Sequence, residues 1–180
     1  PLCGGGGAFS CQSPGEEEGI GVSIEKVRAF FAARGREGDI REFSVSSATV
    51  ELAAVAAGCE AARIAKTLSF AVGDGCVLVV SAGDTRIDNA KFKAHFHTKA
   101  KMLSPEEVVA FTGHAVGGVC PFAIENPAVT VWLDISLRRF ATVFPAAGSS
   151  NSAIELTCNE LAEYSRSLGW IDVCKGWQAT

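Results

Sequence analysis

A lysine set inside an apolar strand is the most chemically suggestive residue of this chain. In Ile64-Ala65-Lys66-Thr67-Leu68-Ser69-Phe70, the two-residue alternation of an extended strand puts Lys66 on the same face as Ile64, Leu68 and Phe70. If that face is the core face, the ammonium must snorkel to the rim or meet a negative partner, because an unpaired buried charge is expensive. Two readings stay open on these residues alone. One is a lysine at a sheet edge with its amine in water; the other is a fixed cation that holds a phosphate or carbonyl oxygen.

A second candidate is Gly113-His114-Ala115-Val116-Gly117-Gly118-Val119-Cys120-Pro121-Phe122. Paired glycines let the backbone take positive φ angles and approach a ligand closely, and consecutive amides in such a turn form a nest for anions or carbonyl oxygens. The same composition also makes ordinary turns. Cys120 has no base beside it in sequence, so a small core residue is as good a reading as a nucleophile. A third segment, Ala146-Ala147-Gly148-Ser149-Ser150-Asn151-Ser152-Ala153-Ile154-Glu155-Leu156, is a hydroxyl-rich loop that either lines a polar pocket or runs over the surface. His95 and His97 would share a face only on a strand, and with no third ligand nearby no metal site is expected.

These segments need elements to position them. Ser23 is expected to cap a helix whose apolar face is Ile24, Val27 and Phe31 and which ends near Gly35. A short strand over 40–43 leads to Ser46-Ser47-Ala48-Thr49, whose hydroxyls can cap a helix with Val50, Ala53, Ala54 and Ala57 on one side and Gly58 at its end. The strand over 64–70 and its expected partner over 77–81 flank a Gly73-Asp74-Gly75 turn, which reads as a hairpin at the centre of the sheet. Ser104-Pro105-Glu106-Glu107 and Thr157-Cys158-Asn159-Glu160 both have capping-box order and predict helices, the second with Leu161, Tyr164 and Leu168 as its buried stripe. Residues 129–134 read as a further strand. Strands and helices interleave without a strict βαβ rhythm, which predicts an α+β fold with a mixed, curved sheet flanked by helices.

The bulk composition fits one domain. A chain of 180 residues with 48% hydrophobic side chains can bury a substantial core. Residues 1–21, Gly-rich and then acidic, read as a flexible N-terminal extension without chemistry, and 22–180 as the domain. The apolar runs fall far short of the roughly 20 residues of a membrane helix. Neither a secretion signal nor a disulfide framework is suggested by the lead or by the seven cysteines, so reduced thiols in a cytoplasmic protein are expected. A net charge of −4 argues against a surface that coats nucleic acid generally, DNA included. A local basic run remains in Arg86, Lys91, Lys93, Lys99 and Lys101, readable as a solvated helix face or as a phosphate-backbone contact.

Taken together and in this order, four blocks resemble the YbaK/ProX aminoacyl-tRNA deacylases, relatives of the editing insertion of bacterial prolyl-tRNA synthetase. They are Ala48-Thr49-Val50-Glu51-Leu52-Ala53, Ala65-Lys66-Thr67-Leu68, residues 112–122 and residues 147–156, within a resemblance covering about 23–175. It implies the YbaK/ProRS-associated domain fold and a trans-acting ester hydrolase that deacylates a mischarged aminoacyl-tRNA without metal or cofactor. It further implies Lys66, Gly117 and Gly118 as catalytic residues, and Thr49, Thr67, His114, Pro121, Phe122, Gly148 and Ser149 as substrate contacts. With these go Lys91, Lys93, Lys99 and Lys101 on tRNA, a tRNA(Pro) carrying a small noncognate amino acid as substrate, and prolyl-tRNA synthetase as a further partner, with no DNA and no membrane. Two departures bear on alanyl specificity, and a third bears on how tRNA is gripped. Thr67 and Phe144-Pro145 stand where an alanine-specific subgroup has asparagine after the lysine and His-Pro, and Ser149-Ser150 stand where some cysteinyl-specific relatives have Lys-Arg. A non-catalytic module that holds aminoacyl-tRNA or synthetase is the alternative, and a small-molecule-binding regulator a further one.

Overall fold

The computed structural model describes residues 18–178, with side chains described from Ser23 onward. In chain order the elements are α1 (Glu18–Ala32), β1 (Ile40–Glu42), α2 (Val50–Ala57), β2 (Ile64–Val72), β3 (Gly75–Ala82), β4 (Arg86–Ile87), α3 (Asn89–Phe96) and α4 (Pro105–Thr112). There follow β5 (Val129–Asp134), a 3-10 helix (Ile135–Arg139), β6 (Thr142–Pro145), β7 (Ser152–Ile154), β8 (Leu156–Thr157), α5 (Cys158–Ser165), β9 (Trp170–Ile171) and β10 (Cys174–Lys175). The main sheet is mixed, in the order β8-β6-β2-β3-β5-β9, with short pairs β1-β7 and β4-β10 beside it. This is the α+β architecture with a mixed sheet that the interleaved pattern predicts.

The local signals act where expected. Thr49 accepts the Leu52 N–H and Gly58 closes α2 in the left-handed region, while Ser104 and Thr157 form complete capping boxes at α4 and α5. Strands β2 and β3 pair antiparallel from Ala65↔Ala82 to Val72↔Gly75, leaving Gly73 and Asp74 as a two-residue turn in which Gly73 takes φ 58°. Packing against both faces of this hairpin makes it the centre of the core. Ala65, Leu78 and Val80 meet Val27, Phe31, Phe122 and Leu161 on the α1/α5 side, and Phe70, Val77 and Val79 meet Phe92 on the α3 side. Fully burying rings such as Phe31 and Phe122 stabilises the fold by about 1.5–3 kcal/mol each.

Two expected details differ. Helix α1 begins at Glu18, so Ser23 lies within it and cannot be its N-cap; it is fully buried and its hydroxyl bonds the His114 ring instead. The extension assigned to 1–21 lies outside the described residues as far as residue 17. In α5 the helix stops at Ser165 because Arg166 takes a left-handed conformation at φ 52°. Leu168 therefore leaves the helical stripe: its N–H bonds Val131 O and its side chain is 61% exposed.

Candidate functional site

Strand β2 pairs with β3 from Ala65 to Val72 on one side, but on its other side it pairs β6 only at Ile64 and Ala65. Beyond that the next partners are at Ser69 to Ala71, which meet the chain at 101–103. A cavity of about 520 Å³ opens along this gap, between α2, α4, residues 116–119 and the end of β6. Ser69 O and Ala71 N bond on the gap side of β2. Strand alternation therefore directs the N–H and C=O of Thr67 toward the same side. A main-chain donor and acceptor thus border the opening.

Lys66 lines this cavity and lies on the β2 face between the α2 cluster of Ile64 and the α3 cluster of Phe70. Its amine is not in bulk water. It donates to the Thr85 carbonyl and, at 3.3 Å, to the Gly83 carbonyl. Burial draws the Lys66 ammonium below the usual lysine range, an effect opposed by Cys174, Asp84 and Glu51. A cation so held, with no carboxylate bonded to it, keeps attraction to spare for an oxygen that gains negative charge.

Of the residues singled out in the sequence, Thr49, Lys66, Thr67 and Gly117 line the cavity. The others do not. Gly118 packs onto the Ser149 backbone, where a Cβ would lie 2.8–2.9 Å from main-chain atoms. Gly148, at φ 97°, lets the chain pass against α1, a Cβ there falling 2.9 Å from Ser23 O. Ser149 is buried and spends its hydroxyl on Asn151 and Ser152. Pro121 turns to a second cavity, of about 730 Å³, beside Lys26, Phe30 and Tyr164, and Phe122 is core.

His114 is fully buried. Its Nε2–H donates to Phe122 O at 2.9 Å, since a carbonyl can only accept, so Nδ1 is the acceptor for the Ser23 hydroxyl. Burial pushes the imidazole below its ordinary range, so the neutral ring is the working form. Cys120, beside it, has a thiol pushed up to about 12 by complete burial, which removes it as a nucleophile at neutral pH.

The basic run divides. Lys91 is paired with Asp172 at 2.8 Å, whereas Lys93, Lys99 and Lys101 are exposed and enter no ion pair among the described residues. His95 lies on helix α3 and His97 is its left-handed C-cap, so the strand that would align the two rings does not form. Among the described residues no cluster of three or more His, Cys, Asp or Glu side chains could hold a metal ion. Nor is any described helix long and apolar enough to cross a membrane. Sequence reasoning missed Met102, Leu103 and Val108, and it quoted Val116, Val119 and Phe144 without seeing that they join these in the apolar wall of the cavity. Only the unusual exposure of Val116, 63%, and of Met102, 60%, marks them, and exposure is not written in sequence.

The fold and site define a class, an α+β domain with a cavity bordered by a free strand edge, an apolar wall and a lysine whose amine is held by main-chain carbonyls. The profile of the aminoacyl-tRNA editing domain family matches residues 45–164, and the chain belongs to that family. It is 55% identical over 158 residues to the uncharacterized protein YwhH of Bacillus subtilis (strain 168), a match covering 87% of this chain and all of that protein. It is also 31% identical over 93 residues to a proline–tRNA ligase of Thermotoga maritima, which is 51% of this chain but 16% of the ligase. A solved structure described as a candidate trans-editing enzyme for prolyl tRNA synthetase superimposes with a TM-score of 0.77 at 29% identity, over 86% of this chain and 98% of the other. The hypothetical protein APE2540 does so at 0.72 and 29%, over 83% and 99%.

Proposed function

We propose that this domain hydrolyses the ester of a mischarged aminoacyl-tRNA in trans, with the aminoacyl end lodged in the cavity beside Lys66. The observation that carries the reading is Lys66, which lines a mainly apolar cavity and whose half-buried ammonium is bonded only to main-chain carbonyls. Water attacks the ester carbon, and its proton passes to the departing ribose oxygen. The carbonyl oxygen then gains the charge that Lys66 and nearby main-chain N–H groups stabilise, the ribose oxygen leaves as the alcohol, and the free amino acid departs. Such preaimed stabilisation supplies the larger share of catalysis in acyl transfer. No protein nucleophile is called for, in keeping with the buried, high-pKa Cys120 thiol.

An apolar wall of Val116, Val119, Leu103 and Val108 suits a small amino-acid side chain, and the cavity volume sets which ones enter. A tRNA(Pro) carrying a small noncognate residue is the substrate favoured here, because the likeness extends to proline–tRNA ligases and to a candidate trans-editing structure. The test is deacylation of tRNA(Pro) charged with a panel of amino acids, by wild-type protein and by Lys66→Ala. Loss of about 10²–10³ in rate is expected in the variant, the range seen on removing one oxyanion donor. Undiminished turnover in Lys66→Ala would remove the role given to that lysine, and tRNA binding without any wild-type hydrolysis would favour a holding module instead.

A further inference from the structure

The two carbonyls that receive the Lys66 amine belong to one turn. Between Gly83 and Thr85 stands Asp84, whose two carboxylate oxygens accept from both terminal nitrogens of Arg139, at 2.9 and 2.6 Å. Arg139 is itself fixed: its Nε donates to Ser136 O at 2.9 Å, and its guanidinium lies 4.8 Å from the Phe140 ring centroid and 5.2 Å from that of Trp177. The start of the turn is tied to the same 3-10 helix, because the Ala82 N–H donates to Ser136 Oγ at 3.2 Å. Thr85 Oγ1 closes the turn on Ala82 O at 2.7 Å. At Gly83 a Cβ would run into Ala61 O and Val50 Cγ1, so the turn cannot slide toward α2.

We infer that Asp84 and Arg139 are positioning residues for Lys66: their forked ion pair holds the 83–85 turn, and the turn's carbonyls fix where the ammonium stands beside the cavity. The inference rests on the deacylase reading for its consequence in catalysis, though not for its geometry. The pair is a poor stability device, since its side chains are 28% and 34% exposed and such pairs contribute little. Its two parallel hydrogen bonds are instead a geometric restraint, one that a lysine at 139 cannot reproduce. The charged and titratable groups facing the Lys66 amine are Asp84, Glu51 on α2 and Cys174 on β10. Asp84→Asn therefore removes a negative neighbour as well as the fork. Arg139→Lys keeps both charges and loosens the fork alone, which makes it the diagnostic substitution.

The test uses the full chain labelled with ¹³C on lysine, with the Lys66 signal assigned by its loss in Lys66→Arg. The expected result is faster local motion of Lys66 Cε, read by ¹³C relaxation, in both Arg139→Lys and Asp84→Asn, with melting temperatures within a few degrees of wild type. Single-turnover deacylation should fall about ten- to a hundredfold in both, the scale of a small misplacement of a catalytic group, with KM little changed. A Lys66 signal as ordered in both variants as in wild type overturns the inference. Loosened Lys66 in both variants, together with wild-type protein that deacylates nothing, upholds the positioning and overturns the deacylase reading.

Discussion

His114, outside the cavity lining, ties α1 to the 113–122 segment, which makes Ser23→Ala an informative perturbation. The substitution removes the hydroxyl that donates to His114 Nδ1 and leaves that nitrogen without a partner in a fully buried site. An unsatisfied buried polar atom costs about 1–3 kcal/mol. For a chain of this size each kcal/mol moves the melting temperature by about 2–4 °C, so a fall of about 2–12 °C is expected. The pH dependence has a definite sign. Burial depresses the folded-state pKa of His114, so between that value and the unfolded value of about 6.5 the unfolded chain binds more protons. The stability that comes from the neutral ring is therefore complete above about pH 6.5 and drains away as pH falls toward the folded pKa. Thermal unfolding of wild type, Ser23→Ala and His114→Ala from pH 5 to 8 measures both effects, with the acid-side slope reduced in His114→Ala. That variant also opens a cavity beside Cys120 and strands Ser23 and the Phe122 carbonyl. An unchanged melting temperature in Ser23→Ala refutes the buried-bond argument. Lost deacylation at full stability in His114→Ala would restore the direct substrate contact.

Two further outcomes are expected. Joint replacement of the exposed Lys93, Lys99 and Lys101 by alanine should raise KM for aminoacyl-tRNA and leave kcat unchanged, and should flatten the salt dependence of binding by about one unit for each phosphate no longer neutralised; binding titrations at several salt concentrations check this. Thr157→Ala, which breaks the capping box of α5 outside the cavity lining, should lower stability by about 0.5–2 kcal/mol in denaturant titration with deacylation intact.

Much of the fold was legible because its signals are local. Thr49, Ser104 and Thr157 sit a fixed three residues before the amide each one caps, so the sequence alone marks where those helices begin. The Gly73-Asp74 turn, the β2–β3 register it sets, and the placing of Lys66 on a face with Ile64 and Phe70 follow from a period of two in the same way. Gly117 at a cavity wall was readable as a glycine turn. Tertiary structure alone decided which way the rest of that segment points. His114, Pro121 and Phe122 are close to Gly117 in sequence, but a loop has no fixed side-chain period, and the competition between burying an aromatic ring in the α1/α5 core and lining a cavity is settled by distant packing partners. The same holds for Asp84 and Arg139, 55 residues apart, whose encounter beneath Lys66 depends on the sheet order that brings the end of β3 to the end of β5.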